Sequence, residues 1–189
     1  MSILAVYSAP GASPRVVRDA DTIAATLQEI GVLFERWEAN RPIDASTDEA
    51  GVLAAYQGSV ERLQQRFGFR SADVISLTAD HPQKDALRSK FLAEHTHAEF
   101  EVRFFVSGQG LFCIHSNDRV YMVLCTQGDL ISVPENTTHW FDMGAEPGFQ
   151  CIRLFTTTDG WVANFTGSDI ARHYPNLDEF VQAFESAAA

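Results

Sequence analysis

Three imidazoles and one carboxylate, His95, His97, Glu101 and His139, stand at spacings that suit a metal centre. They fall in two phrases, EHTHAEFEVRFF and ISVPENTTHWFDM. Nitrogen donors with one hard oxygen suit a divalent first-row ion such as Fe, Ni, Co, Mn or Zn. Four protein ligands leave two positions of an octahedron for a substrate that grips the ion through two oxygens. Structural zinc sites are instead closed, tetrahedral and rich in cysteine. The set therefore reads as an enzyme's site and not as a structural clip.

Alternation along an extended segment puts His95, His97, Glu99, Glu101 and Arg103 on one face and Phe100, Val102, Phe104 and Val106 on the other. The plain alternative is an apolar core face backed by a solvated polar one. Histidines are poor choices for a solvated strand, and a further His follows a Gly-to-Pro strand of matching length. Both faces are therefore expected to be buried, one lining a polar pocket inside a barrel and one packing against N-terminal helices.

The elements that must hold this pocket follow from local pattern. Short apolar or alternating runs (FEVRFFVSG, GLFCIHS, RVYMVLCT, DLISVP, HWFDMG, FQCIRLFTT) are separated by turn signals such as Ser116-Asn117-Asp118 and Gln127-Gly128-Asp129. This predicts an antiparallel sandwich or barrel. The first ninety residues read as mainly helical, with a helix after Asp19, a longer one over about 47–66 and a third from Pro82. FERW and VISL are short extended pieces within them. LDEFVQAFESA reads as a terminal amphipathic helix. The expected fold is mainly β with flanking α. Residues 1–189 are expected to form one domain: a helical part over about 1–90 wraps a barrel core over about 91–160, and 161–189 extend it with a helix.

The totals of 189 residues, 46% hydrophobic and 21% charged, are ordinary for a soluble globular domain. A formal charge of −11 argues against nucleic acid and anionic membrane as partners. Neither a signal peptide nor a spanning segment is evident. Cys113, Cys125 and Cys151 lie in apolar strand contexts without paired spacing and read as reduced, buried hydrophobes. A cytoplasmic monomer is expected. His81, His115 and His173 have no ligand-like spacing, and the last two read as surface residues.

Cupin-type jelly rolls carry two short motifs, the first built from His-x-His, Glu and Gly, the second from Gly, Pro-x-Gly, His and Asn. This sequence resembles both. His95-x-His97 is followed after three residues by Glu101 and after six more by Gly108. Gly128 is followed after five residues by Pro134-x-Asn136 and after two more by His139. Asn136 replaces the usual Gly, a mild change because Asn tolerates positive φ, and Met143 replaces the closing Asn.

Beyond that frame, FERW, DVISL, PQKDALRSKFLAEHTHAEFEVRFFVSGQGLF, DLISVPENTTHWFDMG and GWVANFTG resemble the bacterial acireductone dioxygenases, from about residue 33 to Pro175. The resemblance implies one Fe²⁺ or Ni²⁺ held by His95, His97, Glu101 and His139, with Arg103 handling substrate. It implies an auxiliary role for Glu94 in metal loading and aromatic positions near the substrate at Phe91 and Trp161. Phe100 stands where many relatives carry an acid credited with relaying structural change. Phe141, beside His139, is expected to pack around it, and Glu99 is either a general base or a partner of a ligating His. The implied reaction is O₂-dependent cleavage of 1,2-dihydroxy-3-keto-5-methylthiopentene in methionine salvage. The implied products are 4-methylthio-2-oxobutanoate and formate with Fe²⁺, or methylthiopropanoate, formate and CO with Ni²⁺. Rival readings are another cupin metalloenzyme (a sugar-phosphate isomerase or a different dioxygenase) and a non-catalytic effector-binding cupin.

Overall fold

The computed structural model describes residues 1–44, 46–156 and 162–184. In chain order the elements are β1 (Ile3–Tyr7), β2 (Arg15–Val17), α1 (Ala20–Gln28), β3 (Leu33–Arg36), α2 (Glu49–Ala55) and α3 (Gln57–Phe67). There follow β4 (Ser71–Leu77), α4 (Lys84–Leu92), β5 (His95–Thr96), β6 (Glu101–Ser116), β7 (Arg119–Thr126) and β8 (Asp129–Val133). The chain closes with β9 (Thr138–Asp142), β10 (Phe149–Phe155), β11 (Asn164–Phe165), a 3₁₀ turn (Ile170–His173) and α5 (Leu177–Phe184). Among the described residues no helix is long and apolar enough to cross a membrane.

Two antiparallel layers share the 16-residue strand β6. Residues Glu101–Phe104 pair with β8 and Val102–Gly108 with β10, which in turn pairs with β4; β3 extends the layer beyond β8. From Gln109 onward the same strand pairs with β7 and β9, and that second layer runs on through β1 and β2 at one side and β5 and β11 at the other. The crossing lies at Gly108, where φ is +71° and a Cβ would stand 1.9 Å from the Gly148 carbonyl oxygen. Only glycine fits there.

Alternate residues of the strands serve different cores. Leu4, Val6, Phe105, Phe112, Val123, Ile131 and Phe141 fill the space between the layers. Ile3, Ala5, Tyr7, Leu111, Met122 and Trp140 face outward and are covered by Leu177 and Phe180 of α5. On the opposite outer face Val102, Phe104, Val106 and Leu154 pack under Val52 of α2, Leu63 of α3 and Tyr56 between the two helices. The expectation that both faces of the His95–Val106 segment are buried holds from Glu101 to Val106 but fails at Phe100, which precedes β6 and is exposed, and helices lie outside the sheets.

The N-terminal part departs from a mainly helical reading. It supplies β1 and β2 to one layer and β3 and β4 to the other. Ile3–Tyr7 is buried on both sides, so its side chains show no polar alternation to betray a strand. The helix expected over about 47–66 is two, broken at Tyr56 (φ −110°, ψ 17°). There the ring packs edge-on to Phe104 at 5.5 Å and its hydroxyl accepts from the Arg41 amide at 3.3 Å. Tertiary packing overrides local continuity at that residue. The three cysteines are free and fully buried, as expected, and burial pushes all three thiols up.

Candidate metal centre

His95, His97, Glu101 and His139 converge. One donor atom from each lies within 4.8 Å of every other, and all four residues are buried. Two strand pairings and a bend bring them together. His95 on β5 is the direct cross-strand partner of His139 on β9, while Glu101 opens β6 opposite Val133. The strand expected to run unbroken from His95 to Arg103 is interrupted over residues 97–100, so the ligands converge across a bend and not by alternation along one strand. The second motif locks onto that bend: Asn136 sits at φ +58°, and its amide donates to the His97 carbonyl at 2.7 Å. Asn136 thus takes the positive φ expected of the glycine it replaces.

Each ring is oriented through Nδ1. His95 Nδ1–H donates to the Ala93 carbonyl (2.6 Å), His97 Nδ1–H to Val162 (2.9 Å) and His139 Nδ1–H to Thr137 (2.8 Å). A carbonyl only accepts, so each Nδ1 carries the proton and each neutral ring presents its Nε2 lone pair inward. The Nε2 atoms of His97 and His139 both stand 2.9 Å from Glu101 Oε2. Lone pairs facing a carboxylate repel unless positive charge lies between them, whether a proton on each ring or one shared cation. Three oriented nitrogens and one buried carboxylate oxygen therefore fit a divalent metal. Burial, with the His139 imidazole next, pulls the His95 pKa down to about 4, keeping that ring neutral and able to ligate. For His97 burial also works downward, but the Glu101 carboxylate prevails and the pKa is raised. Burial alone would raise the Glu101 carboxyl, yet Arg103 and the two imidazoles hold it well below the usual range.

Arg103 lies two residues beyond Glu101 on the same face of β6. Its Nε donates to Glu101 Oε1 at 2.9 Å, and its guanidinium carbon lies 4.4 Å from the Phe141 ring centre and 5.8 Å from that of Phe91. The side chain is thus both a salt-bridge partner of Glu101 and a wall of the cavity above it. That cavity, about 520 Å³, is lined by Arg103 and by three of the four converging residues, His95, His97 and Glu101. Phe91 and Lys90 of α4, Ser71, Ala72 and Asp73 of β4, and Arg153 and Phe155 of β10 line the rest.

The sequence pattern of the ARD/ARD' family matches residues 12–163. An acireductone dioxygenase from Methylococcus capsulatus is 58% identical over 185 residues, covering 97% of this chain and all of that one. The chain belongs to the acireductone dioxygenase family. A second member, from Aquifex aeolicus, is 54% identical over 181 residues, covering 96% of this chain and 99% of its own. The solved acireductone dioxygenase from Bacillus anthracis, which has a cadmium ion in its active centre, superposes with a TM-score of 0.76. It is 33% identical, over 87% of this chain and 98% of that one. The two layers are thus the cupin-type jelly roll, with helices packed outside.

Phe91, an aromatic position that the resemblance put near the substrate, lines the cavity, and so does Phe141, expected to pack around His139. Trp161 lies outside the described residues. Phe100 is 42% exposed and is not among the residues lining the cavity. Glu99 is also absent from that wall, and its Oε2 accepts from Thr156 Oγ1 at 2.6 Å. Glu94 is buried, with Oε1 2.9 Å from His115 Nδ1 and Oε2 accepting from Thr166 Oγ1 at 2.6 Å. His115, expected at the surface, is therefore half-buried and engaged with Glu94. Sequence reasoning missed Lys90, Asp73 and Arg153. Asp73 and Arg153 come from β4 and β10, distant in sequence from the motifs, while Lys90 of α4 lies near His95, and no local spacing ties any of the three to the site.

Proposed function

We propose that this chain, an enzyme of the acireductone dioxygenase family, cleaves 1,2-dihydroxy-3-keto-5-methylthiopentene with O₂ in methionine salvage. The products on this reading are 4-methylthio-2-oxobutanoate and formate when Fe²⁺ is bound, or methylthiopropanoate, formate and CO when Ni²⁺ is bound. The observation that carries it is the convergence of three Nε2-presenting imidazoles and one carboxylate, of which His95, His97 and Glu101 line a cavity that also holds Arg103.

His95, His97, Glu101 and His139 would hold the metal. When bound, it supplies Lewis acidity that lowers the pKa of an enediol and orients its oxygens. The protein's own groups do the rest. Arg103, pinned through Nε to Glu101 and backed by aromatic rings, presents a permanent planar cation to the enediolate. Phe91, Phe141 and Phe155 give the cavity apolar walls that limit water around an oxidisable dianion. Glu99, which accepts from Thr156 and does not line the cavity, fits a positioning role better than that of a base touching substrate. The same reading makes the protein a cytoplasmic monomer, in keeping with its buried free thiols.

The test is direct. Metal-free protein is loaded anaerobically with Fe²⁺, given the enediol and then exposed to O₂. Stoichiometric O₂ uptake with formate release is expected, and their absence rejects the reading. Repeating the run with Ni²⁺ should yield CO.

A further inference from the structure

The cavity holds a second arginine whose placement repeats that of the first. On β10, Arg153 is the direct cross-strand partner of Arg103 on one side and of Asp73 on the other. Directly opposed residues of antiparallel strands share a face, with Cα atoms roughly 4.5–5.5 Å apart. Both arginines line the same cavity. Like charges in opposed positions are destabilising, so the arrangement calls for compensation. Each guanidinium is braced by a carboxylate. Arg103 donates to Glu101, and Arg153 makes a bidentate pair with Asp73, Nε to Oδ1 at 2.8 Å and Nη2 to Oδ2 at 2.6 Å. Arg153 is further shelved on Phe155, its guanidinium carbon 5.5 Å from the ring centre. Arg103 is buried at the metal end, while the Arg153 side chain is 26% exposed toward the outer end. Two braced cations thus sit side by side above the metal cluster, in a protein whose net charge of −11 repels anions.

We propose that Arg153 is a second substrate-binding residue that, with Arg103, receives the oxygen-bearing head of an enediolate, and that Asp73 is the positioning residue that fixes it. The inference rests on the reaction proposed above. Arg103 meets the oxygens nearest the metal, and Arg153 meets the carbonyl oxygen next along the carbon skeleton. The pair discriminates for the charged, deprotonated head and is indifferent to the tail.

The test uses full-length protein reconstituted anaerobically with Fe²⁺, with O₂ uptake followed against substrate concentration. Arg153→Met should raise KM roughly tenfold or more, the worth of one charge-assisted hydrogen bond, with a smaller change in kcat and unchanged metal content. Arg153→Lys should recover part of that loss, and Asp73→Asn should raise KM by a lesser factor. An analogue bearing the same head on a shortened tail should show the same Arg153→Met penalty as the full substrate. A KM within twofold of wild type in Arg153→Met overturns the proposal, and so does a penalty that vanishes with the short-tail analogue. The double variant Asp73→Asn/Arg153→Met removes both charges and leaves no uncompensated carboxylate. Recovery of wild-type KM there would show a purely structural pair and overturn the proposal, whereas a persistent defect supports it. Absence of turnover in the wild-type protein would sink the proposed reaction instead, which keeps the two failures apart.

Discussion

At the scale of single residues, the site divides into groups that hold a cation and groups that face it. His139→Ala removes one inward lone pair and one of the two Nε2 partners of Glu101, so metal content after loading should fall sharply while circular dichroism stays native. A fully loaded, active His139→Ala protein would contradict the assignment. Arg103→Met should keep its metal, because no ligand is lost. Turnover should fall by roughly a hundredfold, in the range seen when a group that stabilises developing charge is removed, and elemental analysis beside O₂ uptake separates the two effects. Asn136 acts through its backbone, with φ at +58° and its amide on the His97 carbonyl. Asn136→Gly should therefore be nearly neutral, while Asn136→Val should cost about 1–2 kcal/mol in denaturant titrations, the penalty of a left-handed β-branched residue.

At the scale of elements, what was legible in the sequence was whatever is local. The ligand motifs compress into short stretches, so their spacing could be read directly, and the bend at 97–100 changed how the donors meet but not which they are. Helices with polar caps were also legible. Asp19 caps α1 by accepting from the Thr22 amide, and Asn176 and Glu179 exchange reciprocal bonds at the start of α5. Strand β1, buried on both faces, carries no alternation and passed unread, as did the contribution of Asp73 on β4 and Arg153 on β10 to the cavity wall. One tie between elements has a pH signature. Asp142 on β9 accepts from Arg88 of α4 at 2.8 and 3.0 Å, from the Gly144 amide and from the Leu177 amide at the start of α5. Burial opposes its ionisation, but Arg88 and the two amides prevail and the carboxyl is lowered from 3.8. Its stabilising contribution is thus complete above about pH 4 and is lost as pH falls through the lowered value. Unfolding free energies measured between about pH 2 and 7 should fall less steeply below pH 4 in Asp142→Asn than in the wild type.

At the scale of the whole molecule, a metal held by the cluster would fasten one layer to the other, since Glu101 pairs with β8 while His95 and His139 pair with each other in the opposite sheet. Chelating the ion should lower Tm by roughly 5–10 °C for a metal held at about a hundred times its Kd, and calorimetry before and after reloading should show the loss reversed. Gly108→Ala tests the same junction without metal. Its Cβ would meet the Gly148 carbonyl, and positive φ adds strain, so a loss of roughly 2–5 kcal/mol is expected in urea titrations. That shared strand also limits how the protein can breathe. Because β6 is stitched into both walls on either side of Gly108, neither wall can slide against its neighbour without tearing hydrogen bonds along a common rail. Entry and exit of small molecules must then be governed at the rim, where short segments meet solvent, while the floor beneath stays in fixed alignment through every turnover.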